Sequence, residues 1–140
     1  MLALGPYEGV LRRCVLALKF ANRRDVAVQL GRMLATSWPL DMDFLVPVPL
    51  HPARQAARGY NQAHLLAQAL EEATRLQPRS ARLVVVDGLR RERMTTPQSE
   101  LRLDAREANV CAAFGPSASA RAVAGKRVAI VDDVVTTGST

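Results

Sequence analysis

The stretch Val128-Ala129-Ile130-Val131-Asp132-Asp133-Val134-Val135-Thr136-Thr137-Gly138-Ser139-Thr140 decides how the chain is read: an apolar run, two adjacent acids, then hydroxyls gathered round one glycine. Val128 to Val131 is short and rich in β-branched residues, the pattern of a strand buried on both faces of a parallel sheet. Asp132 and Asp133 then stand at its carboxyl end, where the loops of an open α/β sheet diverge and leave a crevice for ligands. Gly138 lets the backbone aim N–H groups at one point, and Thr136, Thr137, Ser139 and Thr140 add hydroxyl donors. Acceptor-only carboxylates can hold vicinal hydroxyls while the ring of donors holds a phosphate. Each charge-assisted hydrogen bond contributes roughly 1.5–3 kcal/mol, so a sugar phosphate could be held without apolar contacts.

Two other phosphate chemistries fail on the same residues. A Walker-type loop ends in Gly-Lys-Ser/Thr, and Gly138-Ser139-Thr140 has no lysine. A haloacid-dehalogenase-like phosphatase places a second acid two residues after the first, where Val134 stands. The plain structural alternative is a buried strand capped by a polar turn whose acids bond to backbone N–H groups. The segment resembles the phosphoribosyl pyrophosphate motif of the type I phosphoribosyltransferases: hydrophobic strand, acid pair, two residues, then T-T-G-x-T. That resemblance implies a Rossmann-like, mostly parallel sheet flanked by helices. It also implies that Asp132 and Asp133 bind the ribose hydroxyls and take part in catalysis, and that Thr136, Thr137, Gly138, Ser139 and Thr140 bind the 5-phosphate.

A second stretch, Phe44 to Leu70, narrows the resemblance. Val46-Pro47-Val48-Pro49, a basic segment, and Arg58-Gly59-Tyr60-Asn61-Gln62 follow in the order found in the ComF family, phosphoribosyltransferase-like proteins named for competence in DNA uptake. Arg93 to Gln98, Arg106 to Asn109, and Ala113-Phe114 repeat further traits of that family, so the resemblance spans nearly the whole chain. Read physically, Pro47 and Pro49 cannot donate ladder hydrogen bonds, which favours a strand end or an edge. His51, Arg54 and Arg58 then decorate a loop without acids, ahead of a helix capped by Asn61. Arginine's forked donors suit a pyrophosphate, so Arg54 and Arg58 are candidates for that group. A solvated basic loop is the alternative, with His51 bonding only nearby backbone.

The remaining pattern is α/β. Leu11, Cys14, Val15 and Leu18, and then Val26, Leu30, Met33 and Leu34 after Asp25 as a cap, predict two helices within residues 1–40. Within 41–140, a helix over 62–74 carries Leu65, Leu66, Ala69 and Leu70, and Leu83 to Val86 gives another strand. Right-handed strand–helix–strand connections would bring Asp132 and Asp133 beside the segment after Pro49. Gly115-Pro116-Ser117 through Ala120 reads as a loop. The polar stretch Arg90 to Gln98 fits a mobile lid that closes over substrate and excludes water, with Arg91 and Arg93 as further pyrophosphate candidates. A plain charged surface loop fits it equally.

Composition sets limits. One partial phosphoribosyltransferase-like domain accounts for the 140 residues, and the sheet is expected to be incomplete after Thr140, since the fold requires a following helix and more strands. No apolar run approaches the length of a membrane span and no signal peptide opens the chain, so a soluble, cytoplasmic protein with no membrane partner is expected. Cys14 and Cys111 are read as reduced, buried thiols. The four-cysteine zinc segment with which ComF-like proteins commonly begin has no counterpart here, and no metal is expected on protein side chains directly. A net charge of +6 suits a polyanionic ligand carrying Mg²⁺ and would also suit single-stranded DNA. Seventeen of nineteen basic residues are arginine and only six residues are aromatic, which weakens the nucleic-acid reading. The resulting expectation is a glycosyltransferase that binds phosphoribosyl pyrophosphate with Mg²⁺ and passes the ribosyl phosphate to an unidentified nucleophile. A noncatalytic binding or DNA-uptake accessory module, docking on competence machinery, is the alternative, and a homodimer is left open.

Overall fold

Two amphipathic helices open the chain, and their buried stripes match the spacing of their apolar residues. Helix α1 (Gly9–Phe20) buries Val15 and Leu18, and α2 (Asp25–Ala35) buries Ala27, Leu30 and Ala35. The computed structural model describes residues 1–38, 41–77, 83–92 and 113–135. Asp25 is the first residue of α2 rather than its cap. The cap position belongs to Arg24, while Arg23 grips the Asp25 carboxylate through two hydrogen bonds of 2.9 and 2.8 Å.

Strand β1 (Phe44–Pro47) leads into α3 (Pro52–Arg58) and α4 (Gln62–Arg75). The segment expected as a basic loop is therefore helical. Pro52 at the first position presets φ, the His51 ring accepts the Ala53 N–H at 3.3 Å, alanines favour the turn, and Gly59 (φ 81°) ends it in the left-handed region. Asn61 caps α4 as expected, its side-chain oxygen accepting the Ala63 N–H at 3.0 Å while its amide donates to the Val48 carbonyl at 3.0 Å. One side chain thus fixes both the start of α4 and the exit from β1.

The strands β2 (Val84–Val85), β3 (Leu89–Arg91), β4 (Phe114–Pro116) and β5 (Val128–Val131) complete the described elements, with a 3₁₀ turn over Ala118–Val123. The main sheet is parallel in the order β2-β1-β5, with Leu45 opposite both Val85 and Ala129, and Pro47 opposite Val131. Strand β1 is therefore central, not an edge. Pro47 is tolerated because it is the last residue and because its missing N–H faces β2: Leu45 serves that side through Val86 N–H, while Val48 bonds across to Val131 on the other.

Helices cover one sheet face. Leu45, Val131, Val85 and Ala129 pack there with Leu66, Leu70 and Leu30. Helix α2 approaches α4 so closely that a Cβ on Gly31 would lie 2.5 Å from that of Ala69. On the opposite face Val46 is buried beneath Gly88 and Val123, yet Val84 and Ile130 are 36% and 59% exposed. The expectation that Val128 to Val131 is buried on both faces fails at Ile130. Leu89–Arg91 and Phe114–Pro116 pair as an antiparallel ribbon, where a lid and a loop were expected. The tail of the expected lid, Arg93 to Gln98, lies outside the described residues.

Candidate functional site

Because Pro47 pairs with Val131, the carboxyl ends of β1 and β5 lie side by side, and Asp132 and Asp133 emerge next to the segment that follows Pro49. The Asp132 carboxylate accepts the N–H of Asp133 at 2.8 Å. Asp133 faces inward with only 4% of its side chain exposed. One of its oxygens lies 2.5 Å from Lys19 Nζ at the end of α1, and the other faces Gln62 Nε2 at 3.4 Å.

Burial is the main cause that pushes the Asp132 carboxyl up to about 7, and the neighbouring Asp133 adds to it; the Asp133 N–H and Lys19 pull the other way. Opposite stands Arg91. Burial lowers its pKa below the usual guanidinium value, Arg54 lowers it further, and Asp132 raises it, so Arg54, Arg91 and Asp132 share one electrostatic field. The Arg91 guanidinium also lies 5.2 Å from the centre of the Phe114 ring, which ties it to the β3-β4 ribbon. A cavity of about 460 Å³ opens between the β1-α3 turn, the first turn of α4 and the ribbon. Pro49, Asn61, His64, Asp87 and Arg91 are among its lining residues, and it meets the acid-pair cluster through Arg91.

Of the residues expected at the site, Asp132, Asp133, Arg54 and Arg91 are gathered here. Arg58 turns elsewhere: its guanidinium sits 5.6 Å over the Phe20 ring and donates to the Gln62 side-chain oxygen, one hydrogen bond removed from Asp133. Thr136 to Thr140 and Arg93 lie outside the described residues. Lys19 and Gln62 were not singled out in the sequence. The signal for Lys19 was a lone charge directly after the apolar stripe of α1, in a chain whose basic residues are otherwise nearly all arginine. No three metal-ligating side chains cluster among the described residues, and no helix among them is long and apolar enough to cross a membrane.

The whole chain is similar to Competence protein F of Haemophilus influenzae, at 34% identity over 148 residues and 62% of that protein's length. It is equally similar to DNA utilization protein YhgH of Escherichia coli K12, at 34% over 149 residues and 61% of its length, and to the Salmonella typhi protein of the same name, also at 34% and 61%. The chain thus spans about three fifths of the length of the curated relatives it matches. No family model and no solved structure matches it.

Proposed function

This chain belongs to the ComF family, and from that premise we propose that it binds phosphoribosyl pyrophosphate and transfers the ribosyl 5-phosphate to a nucleophile in a competence or DNA-utilization role. The carrying observation is that the acid pair leaves β5 directly beside the end of β1 and the segment after Pro49, with Arg91 lining the adjoining cavity. The relatives' names support the biological setting; the residues support the ligand. Ionised Asp132 accepts ribose hydroxyls and offsets positive charge as it develops at C1. Arg54 and Arg91 take up charge as the bond from C1 to pyrophosphate breaks and a bond from C1 to the nucleophile forms. Thr136 to Thr140 would hold the 5-phosphate and fix the distance of attack. Mg²⁺ arriving with the pyrophosphate would supply further charge neutralisation.

Calorimetric titration of phosphoribosyl pyrophosphate with Mg²⁺ tests the reading. Replacing both acids, Asp132→Asn with Asp133→Asn, is expected to cost at least about 2 kcal/mol, roughly thirty-fold in affinity. Pyrophosphate release that depends on an added amine or nucleobase then identifies an enzyme. Binding without release under any acceptor identifies a noncatalytic module, and no binding by the unaltered protein rejects the ligand and turns attention to DNA and protein partners.

A further inference from the structure

Three consecutive residues at the end of α1 each meet a different part of the site. The Leu18 carbonyl accepts the Tyr60 hydroxyl, Lys19 Nζ pairs with Asp133, and the Phe20 ring lies under Arg58. Gln62 closes the circuit, accepting from Arg58 and donating to Asp133. On a side chain 4% exposed, one Asp133 oxygen is ion-paired with Lys19 without a hydrogen bond, and the other accepts a long hydrogen bond from Gln62. Asp132 instead shares its field with Arg91, which lines the cavity.

We infer that the two acids divide their work: Asp133 is a fixed internal counter-charge held by the positioning residue Lys19, and Asp132 alone presents a carboxylate to the sugar. This rests on the ligand proposed above. The physical reason is desolvation. A buried carboxylate that loses its cation is left uncompensated, and it would then press its charge onto the adjacent acid. The Lys19 charge offsets that of Asp133 and so relieves the pressure on Asp132. The charged groups facing Asp132 are Asp133 on its own segment, Lys19 from α1, Arg91 from β3 and, through Arg91, Arg54 from α3.

The test combines calorimetry with phosphoribosyl pyrophosphate and Mg²⁺ from pH 6 to 9 and a carboxyl-carbon NMR titration of Asp132 without ligand. Lys19→Met is expected to raise the Asp132 midpoint by about one pH unit and so to weaken binding about five-fold at pH 7, with recovery toward pH 9. Lys19→Arg should restore most of the binding. The double variant Lys19→Met, Asp133→Asn removes both charges together and should bind within about three-fold of the unaltered protein, whereas Asp132→Asn should lose about thirty-fold at pH 9 and less toward pH 6, where the unaltered Asp132 is itself largely protonated. The double variant also serves if Lys19→Met alone does not fold, because it leaves no unpaired buried charge. The inference is overturned if the double variant loses as much affinity as Asp132→Asn, or if the Asp132 midpoint does not move in Lys19→Met. If the unaltered protein binds no phosphoribosyl pyrophosphate, the proposed function fails by itself, and the NMR midpoint still decides the role of Lys19.

Discussion

Asp132 is a carboxyl whose folded state favours the proton. With a folded pKa near 7 and an unfolded value of about 4, the native state binds the proton more tightly than the unfolded chain. The contribution to stability is therefore fully present below about pH 4 and is lost as pH rises toward 7. Asp132→Asn removes that loss: the variant is expected to be more stable than the parent at pH 8 by about 2–4 kcal/mol, with no advantage at pH 4. Urea midpoints at the two pH values check it, and an equal gain at both would place the origin outside Asp132 ionisation. The acid pair was legible in the sequence because strand, acids and loop are contiguous, so the pattern is local. Lys19 was not, because its partner lies at the other end of the chain, and no spacing rule connects a helix terminus to a strand end across that interval.

Helices α2 and α4 meet at Gly31, where backbone approach rather than backbone conformation demands glycine. Gly31→Ala gains up to about 1 kcal/mol of helix propensity, yet places its Cβ 2.5 Å from Ala69 Cβ and 2.6 Å from the Ala69 carbonyl carbon. Overpacking of rigid atoms wins, and a net loss of about 1–3 kcal/mol is expected in a thermal or chemical unfolding curve. A neutral or stabilising result would mean that α2 can slide without disturbing the core. At this scale the sequence revealed α1, α2, α4, β2 and β5 through their apolar stripes and runs, and β1 through the resemblance carried by Val46-Pro47-Val48-Pro49. It concealed α3, whose residues Pro52–Arg58 include none that is buried, so no apolar pattern marks it. The β3-β4 ribbon was concealed too: Gly115 and Pro116 read as turn residues, yet Arg90 stands opposite Gly115 and Leu89 opposite Pro116 in antiparallel register. Tertiary pairing overrode the local preference.

At the scale of the molecule, the described helices cover one face of the parallel sheet, and the described residues cover the other only in part. Ile130, on one outer strand of the described sheet, leaves 59% of its surface in water; Val84, on the same face but on the opposite outer strand across β1, leaves 36%. Ile130→Thr keeps β-branching and removes exposed apolar area, so stability should change by no more than about 0.5 kcal/mol while light scattering at high protein concentration falls. A large loss of stability would show that Ile130 is packed in solution. The α/β class and the adjacency of the two motifs were legible because crossover handedness leaves few arrangements; the bare Ile130 was not, since a β-branched run reads the same whether or not its second face is covered. The tie between Lys19 and Asp133 also has a meaning in time. Lys19 leaves the ribosome more than a hundred residues before its partner is made, a wait of roughly ten seconds at ordinary synthesis rates. During that interval the helix end that anchors the acid pair has nothing to anchor, so the Lys19–Asp133 tie can form only after β5 has been made.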